Sequence, residues 1–366
     1  MVNLETTLFD YTLPSPLILA SGPRSYSAQG IHAAFDAGAG GVVTKTLCLK
    51  PAVNPAPHIS RPRSRGLRNS LLNCEKWADL SWEQWVNVEL PALKEHPGVL
   101  IVSIGHSSVD AETICPPVLA TGAVNIIECV AYRWEDLPPL VRSVRQLTDL
   151  PILAKLSFNW GEALTFTAAA AFGAGASGFT AIDSIGPTLA IDIETGYPLL
   201  AGLNGNGWIS GEALKPIALA VVADLVKHYE IPVVATGGVI NGEDVIEMTM
   251  VGAQAVGVCT APLLQGLSWF KKCDMQTERW LEKHQLMSLD EIRGLALRFL
   301  PYEDRKIQLE FHFNPQQCTL CELCEKVCPY NAREVIPPDE EDGNVQLKWS
   351  GKQCRHCGLC LSLIHI

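Results

Sequence analysis

Eight short apolar runs recur between residues 17 and 259: LILA (17–20), GVVT (41–44), VLIVSI (99–104), NIIEC (125–129), PILAKL (151–156), GFTAI (178–182), IPVVAT (231–236) and AVGVC (255–259). None has the polar alternation of a strand with one wet face, so each is expected to be buried on both faces, as in a parallel sheet. Most are separated by stretches of helical periodicity, such as WEDLPPLVRSVRQL (134–147) and GEALKPIALAVVADLVKHY (211–229). Parallel neighbours need a crossover between them, and eight strand–helix units describe an α/β fold of the (β/α)8 TIM barrel kind. A doubly wound sheet is the alternative, and the strand count disfavours it.

The remaining segments find places around that barrel. NLETTLFDYTL (3–13) reads as a hairpin capping its bottom, and the Pro-, Arg- and Asn-rich stretch 46–80 as a long binding loop on its active-site face. The uncharged run 163–182 has the length of a membrane span. It is rich in Ala and Gly and broken by GAGASG, so it reads as helix, turn and strand. A polar helical linker is expected after about Trp269. The domains are then a barrel over 1–300 and a cysteine-rich module over 308–366.

That module begins with CTLCELCEKVCPYNA (318–332), which has the spacing C-x2-C-x2-C-x3-C-P. Three closely spaced thiolates clamp one face of a [4Fe–4S] cube, and the fourth cysteine, before Pro329, reaches across to a second cluster. Zinc also takes thiolates, but its sites usually pair two CxxC units without the third member. By this rule one cluster has Cys354, Cys357, Cys360 and Cys328. The other has Cys318, Cys321 and Cys324, and its fourth ligand is due at position 364, which is Ile364. We expect the chain to be cut or altered at its end, in keeping with the apolar tail LSLIHI. The alternative is an incomplete first cluster, such as a three-iron form. Cys48, Cys74, Cys115, Cys129, Cys259 and Cys273 are scattered and are expected to be reduced thiols.

Two features point to a cofactor in the barrel. ATGGVINGEDV (235–245) follows the seventh run and GVCTAP (257–262) the eighth, so backbone N–H groups of Gly237, Gly238, Cys259 and Thr260 should face one point, where such barrels hold a phosphate. Two unliganded glycine turns are the plainer reading. Lys45 and Lys155 lie at or within strands, where a charge is costly unless paired. Beneath a flavin they would stabilise negative charge on its reduced ring; structural ion pairs are the alternative. Gly173, Gly175 and Gly178 spell GxGxxG, but they follow a helix and open a strand, the reverse of a dinucleotide fingerprint. One phosphate cradle without a dinucleotide fold favours FMN over FAD.

Composition narrows the partners. A net charge of −11 argues against nucleic acid or an anionic membrane surface. MVNLETTLFD has neither the basic nor the apolar region of a signal peptide, so a cytoplasmic location is expected.

LASGPR (19–24), TKT (44–46), AKLSFN (154–159), ISGEALKPIALAVV (209–222) and the glycine turns resemble the flavin-binding segments of the dihydroorotate and dihydropyrimidine dehydrogenase family of FMN barrels. The resemblance covers nearly the whole chain. It implies FMN held by Ala20, Ser21, Gly22, Lys45, Thr46, Lys155, Asp183, Ser210, Gly211, Gly237, Gly238, Cys259 and Thr260. It also implies hydride exchange with a small cyclic substrate, such as a pyrimidine, near Asn69 and Ser184. The cysteine module resembles that of the dihydropyrimidine dehydrogenase branch. There it carries single electrons toward a separate FAD- and NAD(P)-binding subunit or a ferredoxin, so a homo- or hetero-oligomer is expected. One departure bears on catalysis. The family's fourth strand continues as E-L-N-L-S-C-P-N, whose cysteine is the general acid/base. Here ECVAYRWEDLPPLV (128–141) puts Val130 at the first asparagine and Arg133 at the cysteine, and omits the following loop. Tyr132, Arg133 and His106 are therefore the candidate catalytic residues, and slow turnover of dihydroorotate and dihydrouracil is expected. The rival reading is an electron-transfer subunit without pyrimidine chemistry.

Overall fold

The computed structural model describes residues 2–305, 311–338 and 343–363, which divide into two compact units, Met1–Phe299 and Leu300–Ile366. In the first, eight parallel strands close into a ring in chain order: β1 (Leu17–Leu19), β2 (Gly41–Val43), β3 (Val99–Gly105), β4 (Ile126–Val130), β5 (Ile152–Leu156), β6 (Gly178–Ala181), β7 (Val233–Thr236) and β8 (Ala255–Val258). This is a TIM barrel, and the eight apolar runs are its strands.

Alternate residues along each strand face opposite sides, and this sorts the barrel into layers. Outward positions such as Leu100, Val102 and Ile104 of β3 join Ile127, Cys129, Ile152 and Ala154 in the core under the helices. Inward positions near the bottom (Ile18, Val43, Val99, Ile101, Ile126, Leu153, Val234 and Ala255) form a second apolar cluster. The hairpin of Thr6–Leu8 and Tyr11–Leu13 closes it from below with Leu8 and Leu13. One step up, the same faces turn polar: Ser103, Glu128, Lys155 and Thr180 are all buried. Above them lies a cavity at the C-terminal ends of the strands.

Two elements differ from the sequence expectation. The loop 46–80 is partly sheet: Ile59–Ser60 and Ser70–Asn73 pair antiparallel, and Ser70–Asn73 also pairs with Gly207–Gly211 from the loop after β6. Ile185–Thr188 completes the four strands. Trp269–Lys283 is not a linker but a packed barrel helix, the second after β8, behind the short helix Thr260–Gln265. It buries Trp269, Phe270, Cys273, Thr277 and Leu281, and the Trp269 indole donates to the Ile240 carbonyl at 2.7 Å. Its charged residues fill the other face, and they alone made it read as polar.

The second unit has an antiparallel pair, Arg333–Ile336 with Gln346–Trp349, and two one-turn helices, Leu323–Lys326 and Leu359–Leu363. Among the described residues no disulfide joins any of the thirteen cysteines. Among the described residues no helix is long and apolar enough to cross a membrane. Ile364, where the spacing places the fourth ligand, and the expected start of the module at Gln308 lie outside the described residues.

Candidate active site and cluster module

The cavity above the polar layer has a volume of about 300 Å³. Strand ends supply its floor, and all thirteen residues named for the flavin line it, from Ala20, Ser21 and Gly22 after β1 to Cys259 and Thr260 after β8. The turn after β7 accepts only glycine: Gly237 has φ +120° and Gly238 +92°, and a side chain on Gly238 would collide with the backbone of Lys215. A Cβ on Gly22 would likewise meet Cys259 Sγ at 2.6 Å. Thr236 Oγ1 at the end of β7 is buried without a partner, and the helix Thr260–Gln265 begins without a side-chain cap. Bare backbone in the glycine turn and at the uncapped start of that helix suits a phosphate. FMN fits this end of the cavity.

Both lysines are paired. Lys45 Nζ is 2.9 Å from Glu75 Oε2, and Lys155 Nζ is 3.7 Å from Asp183 Oδ1. Burial works against the Lys155 ammonium, but Asp183 and Glu128 outweigh it and raise its pKa. Glu128 is buried, accepts from Thr180 Oγ1 at 3.0 Å and leaves Oε1 unpartnered. Burial moves its carboxyl upward, against the pull of Lys155. Burial also pushes the Cys259 thiol up to about 11, so it remains protonated beside the cavity. Sequence reasoning missed Glu128 and Glu75; a lone acid inside an apolar strand was the available signal for the first.

At the rim after β3 and β4 three rings meet. His106 and Tyr132 have centroids 4.2 Å apart, and Trp77 lies 5.5 Å from His106 and 6.1 Å from Tyr132. His106 Nδ1 is 3.2 Å from the Val130 carbonyl, which can only accept, so Nδ1 carries the proton and Nε2 holds a bare lone pair. That Nε2 is buried without a partner, and burial lowers the imidazole's pKa, keeping it neutral. Tyr132 behaves differently. Although 55% of its surface is exposed, desolvation at the rim and the Asp183 carboxylate move its phenol above the ordinary range. The lowered pKa that an unaided tyrosine base needs is not met.

Two other named residues do not reach the cavity. Arg133 is 70% exposed and turns to Glu135 and Asp136, at 3.6 and 3.8 Å. Its guanidinium pairs with those acids and is not part of the cavity lining. Asn69, in the turn before Ser70–Asn73, donates to Glu212 Oε2 at 2.9 Å outside the lining, whereas Asn73, at the end of that strand, lies within it. Ser184 lines the cavity. Asn159 does too, but its amide is engaged with Ser157, Ser184 and Gly186.

In the second unit Cys328, Cys354, Cys357 and Cys360 surround one small cavity. Backbone N–H groups are already aimed at two of the sulfurs, Ala332 at Cys328 (3.3 Å) and His356 at Cys354 (3.4 Å), as thiolate ligands require. Among the described residues no three His, Cys, Asp or Glu side chains converge tightly enough for a single ion. A multi-iron cube instead fills the space between its thiolates. Cys318, Cys321 and Cys324 lie outside that lining.

Comparison with known proteins agrees with both units. The family described as dihydroorotate dehydrogenase matches residues 131–281, and the 4Fe-4S dicluster domain matches residues 317–363. Similar curated proteins are the catalytic subunits of dihydroorotate dehydrogenase B (NAD(+)) from three archaea. That of Pyrococcus horikoshii is 32% identical over 308 residues, 81% of this chain and 98% of the relative. Those of Pyrococcus abyssi (31% over 310 residues, 81% and 99%) and Methanothermobacter thermautotrophicus (29% over 308 residues, 80% and 98%) are comparable.

Proposed function

Because this chain belongs to the dihydroorotate dehydrogenase family, we propose that its cavity oxidises or reduces a CH–CH bond of a small cyclic amide, with His106 exchanging the proton. Family membership brings FMN and CH–CH oxidoreduction, and the dicluster domain brings [4Fe–4S] clusters. FMN, when bound, supplies the two-electron partner of the reaction. Gly237, Gly238, Cys259 and Thr260 would hold its phosphate, and Lys45 and Lys155 would steady charge on its ring.

The observation that carries the proton assignment is the neutral His106 with its buried, unpartnered Nε2. An arginine cannot accept a proton near neutral pH, and Tyr132 is shifted the wrong way. Tyr132 and Trp77 would instead stack against a flat ring, and Asn73 and Ser184 would supply polar contacts. The relatives are named as catalytic subunits of an NAD(+) enzyme, and we extend that to this chain: a separate redox subunit would exchange electrons through its clusters.

Anaerobic stopped-flow reduction of the bound flavin tests this reading. Dihydroorotate and dihydrouracil should bleach it slowly, because the family's cysteine and the loop after it are missing. Other cyclic amides supply the comparison. With the best substrate, His106→Asn should slow bleaching by about 10²–10⁴ while dithionite still reduces the flavin. An unchanged rate in that variant removes His106 from the chemistry. Bleaching by no cyclic amide at all favours the electron-transfer reading, to which the replacements Val130 and Arg133 also point.

A further inference from the structure

The cysteine module contains a buried cation that its fold does not account for. Arg333 opens the strand Arg333–Ile336, directly opposite Trp349, and is only 8% exposed. Its guanidinium lies over the Phe311 ring, Cζ 4.1 Å from the centroid. Stacking fixes the guanidinium plane, and Phe311 in turn packs against Trp349 at 5.3 Å. Nη2 is nevertheless buried without a hydrogen-bond partner. A charged donor is seldom left so in a native interior, and each exception calls for a missing acceptor. The surroundings name it. Arg333 and Phe311 both line the small cavity ringed by Cys328, Cys354, Cys357 and Cys360.

We propose that Arg333 Nη2 donates to a sulfur of the iron–sulfur cluster held by Cys328, Cys354, Cys357 and Cys360, and so raises that cluster's reduction potential. The physical reason is charge. Reduction adds an electron to an already anionic cluster, and a desolvated cation with a hydrogen bond to sulfur favours the reduced form more than the oxidised one. Water and mobile ions screen such a charge poorly at a buried site. The inference rests on the reading of these cysteines as cluster ligands. Its consequence is that this cluster's reduced form is more stable than it would be without the arginine.

The test is a potentiometric titration of the reconstituted full-length chain followed by EPR, with iron and acid-labile sulfide measured on the same samples. In Arg333→Leu the midpoint of one [4Fe–4S] signal should fall by about 59 mV or more, a tenfold change in its one-electron equilibrium. Arg333→Lys keeps the charge without the planar fork and should fall less than Arg333→Leu. Arg333→Gln, a neutral donor, serves if the leucine variant loses its cluster. Wild-type iron and sulfide with unmoved midpoints overturns the proposal, as does loss of the cluster in all three variants, which makes Arg333 a packing residue. Wild-type protein that takes up no iron and sulfide instead overturns the reading of the cysteines themselves.

Discussion

His106 turns a geometric detail into a pH profile. Its imidazole is held neutral by burial, with a pKa below the ordinary value of 6.5, and only the neutral form accepts a proton. Flavin reduction by substrate should therefore stay level from pH 8 to below 6.5, then fall as the pH drops through the lowered pKa; a midpoint above 6.5 contradicts the assignment. Asp274 gives the opposite sign, in stability. Burial pushes its carboxyl up to about 7, against the hydrogen bond from Ser15 Oγ (3.0 Å), with Glu278 adding to the rise. Folding thus favours the protonated acid. Stability is complete below the unfolded value of 3.8, declines as pH rises through 7, and is then level. With about 1.36 kcal/mol for each tenfold change in proton affinity, the loss is on the order of a few kcal/mol. Asp274→Asn should flatten that decline in denaturant titrations at pH 5 and 8. Side-chain direction was the least legible feature in the sequence. Arg133 occupies the register of a catalytic cysteine, yet two acids just beyond it draw it outward.

Strands buried on both faces were easy to recognise, because their apolar runs need no partner to be seen. The four-stranded sheet was not. Its strands have two to five residues, and GWISG (207–211) pairs with SLLN (70–73) across more than a hundred residues of chain. Local pattern contains no trace of such a partner. The glycine turn after β7 was legible, and it makes a sharp prediction. Gly238→Ala meets both a positive φ and the backbone of Lys215, whereas Gly122→Ala meets a positive φ of +69° with open space around it. The second should cost about 1–2 kcal/mol, the strain of a left-handed alanine. The first should cost distinctly more in thermal melts and also lower flavin retention. Equal losses for the two would mean that contact with Lys215 is not what reserves this position for glycine.

For the whole molecule, we predict unequal clusters from the seven cysteines of the module. Four surround one cavity, while Cys318, Cys321 and Cys324 have Ile364 at the position of a fourth ligand. Anaerobic reconstitution should yield one firmly held [4Fe–4S] cluster and one that is labile or three-iron; eight firmly bound irons would refute this. Ile364→Cys should raise the iron content. The barrel's antiparallel sheet has a different kind of consequence. Its strands come from the loops after β2 and β6, which stand four places apart in either direction round the ring of eight. The sheet therefore reaches across the barrel mouth: Leu71, Asn73, Trp208 and Ser210 line the cavity, and Thr260 Oγ1 after β8 donates to Ser210 Oγ at 2.8 Å. Whatever is held beneath it has a protein roof on that side in place of water.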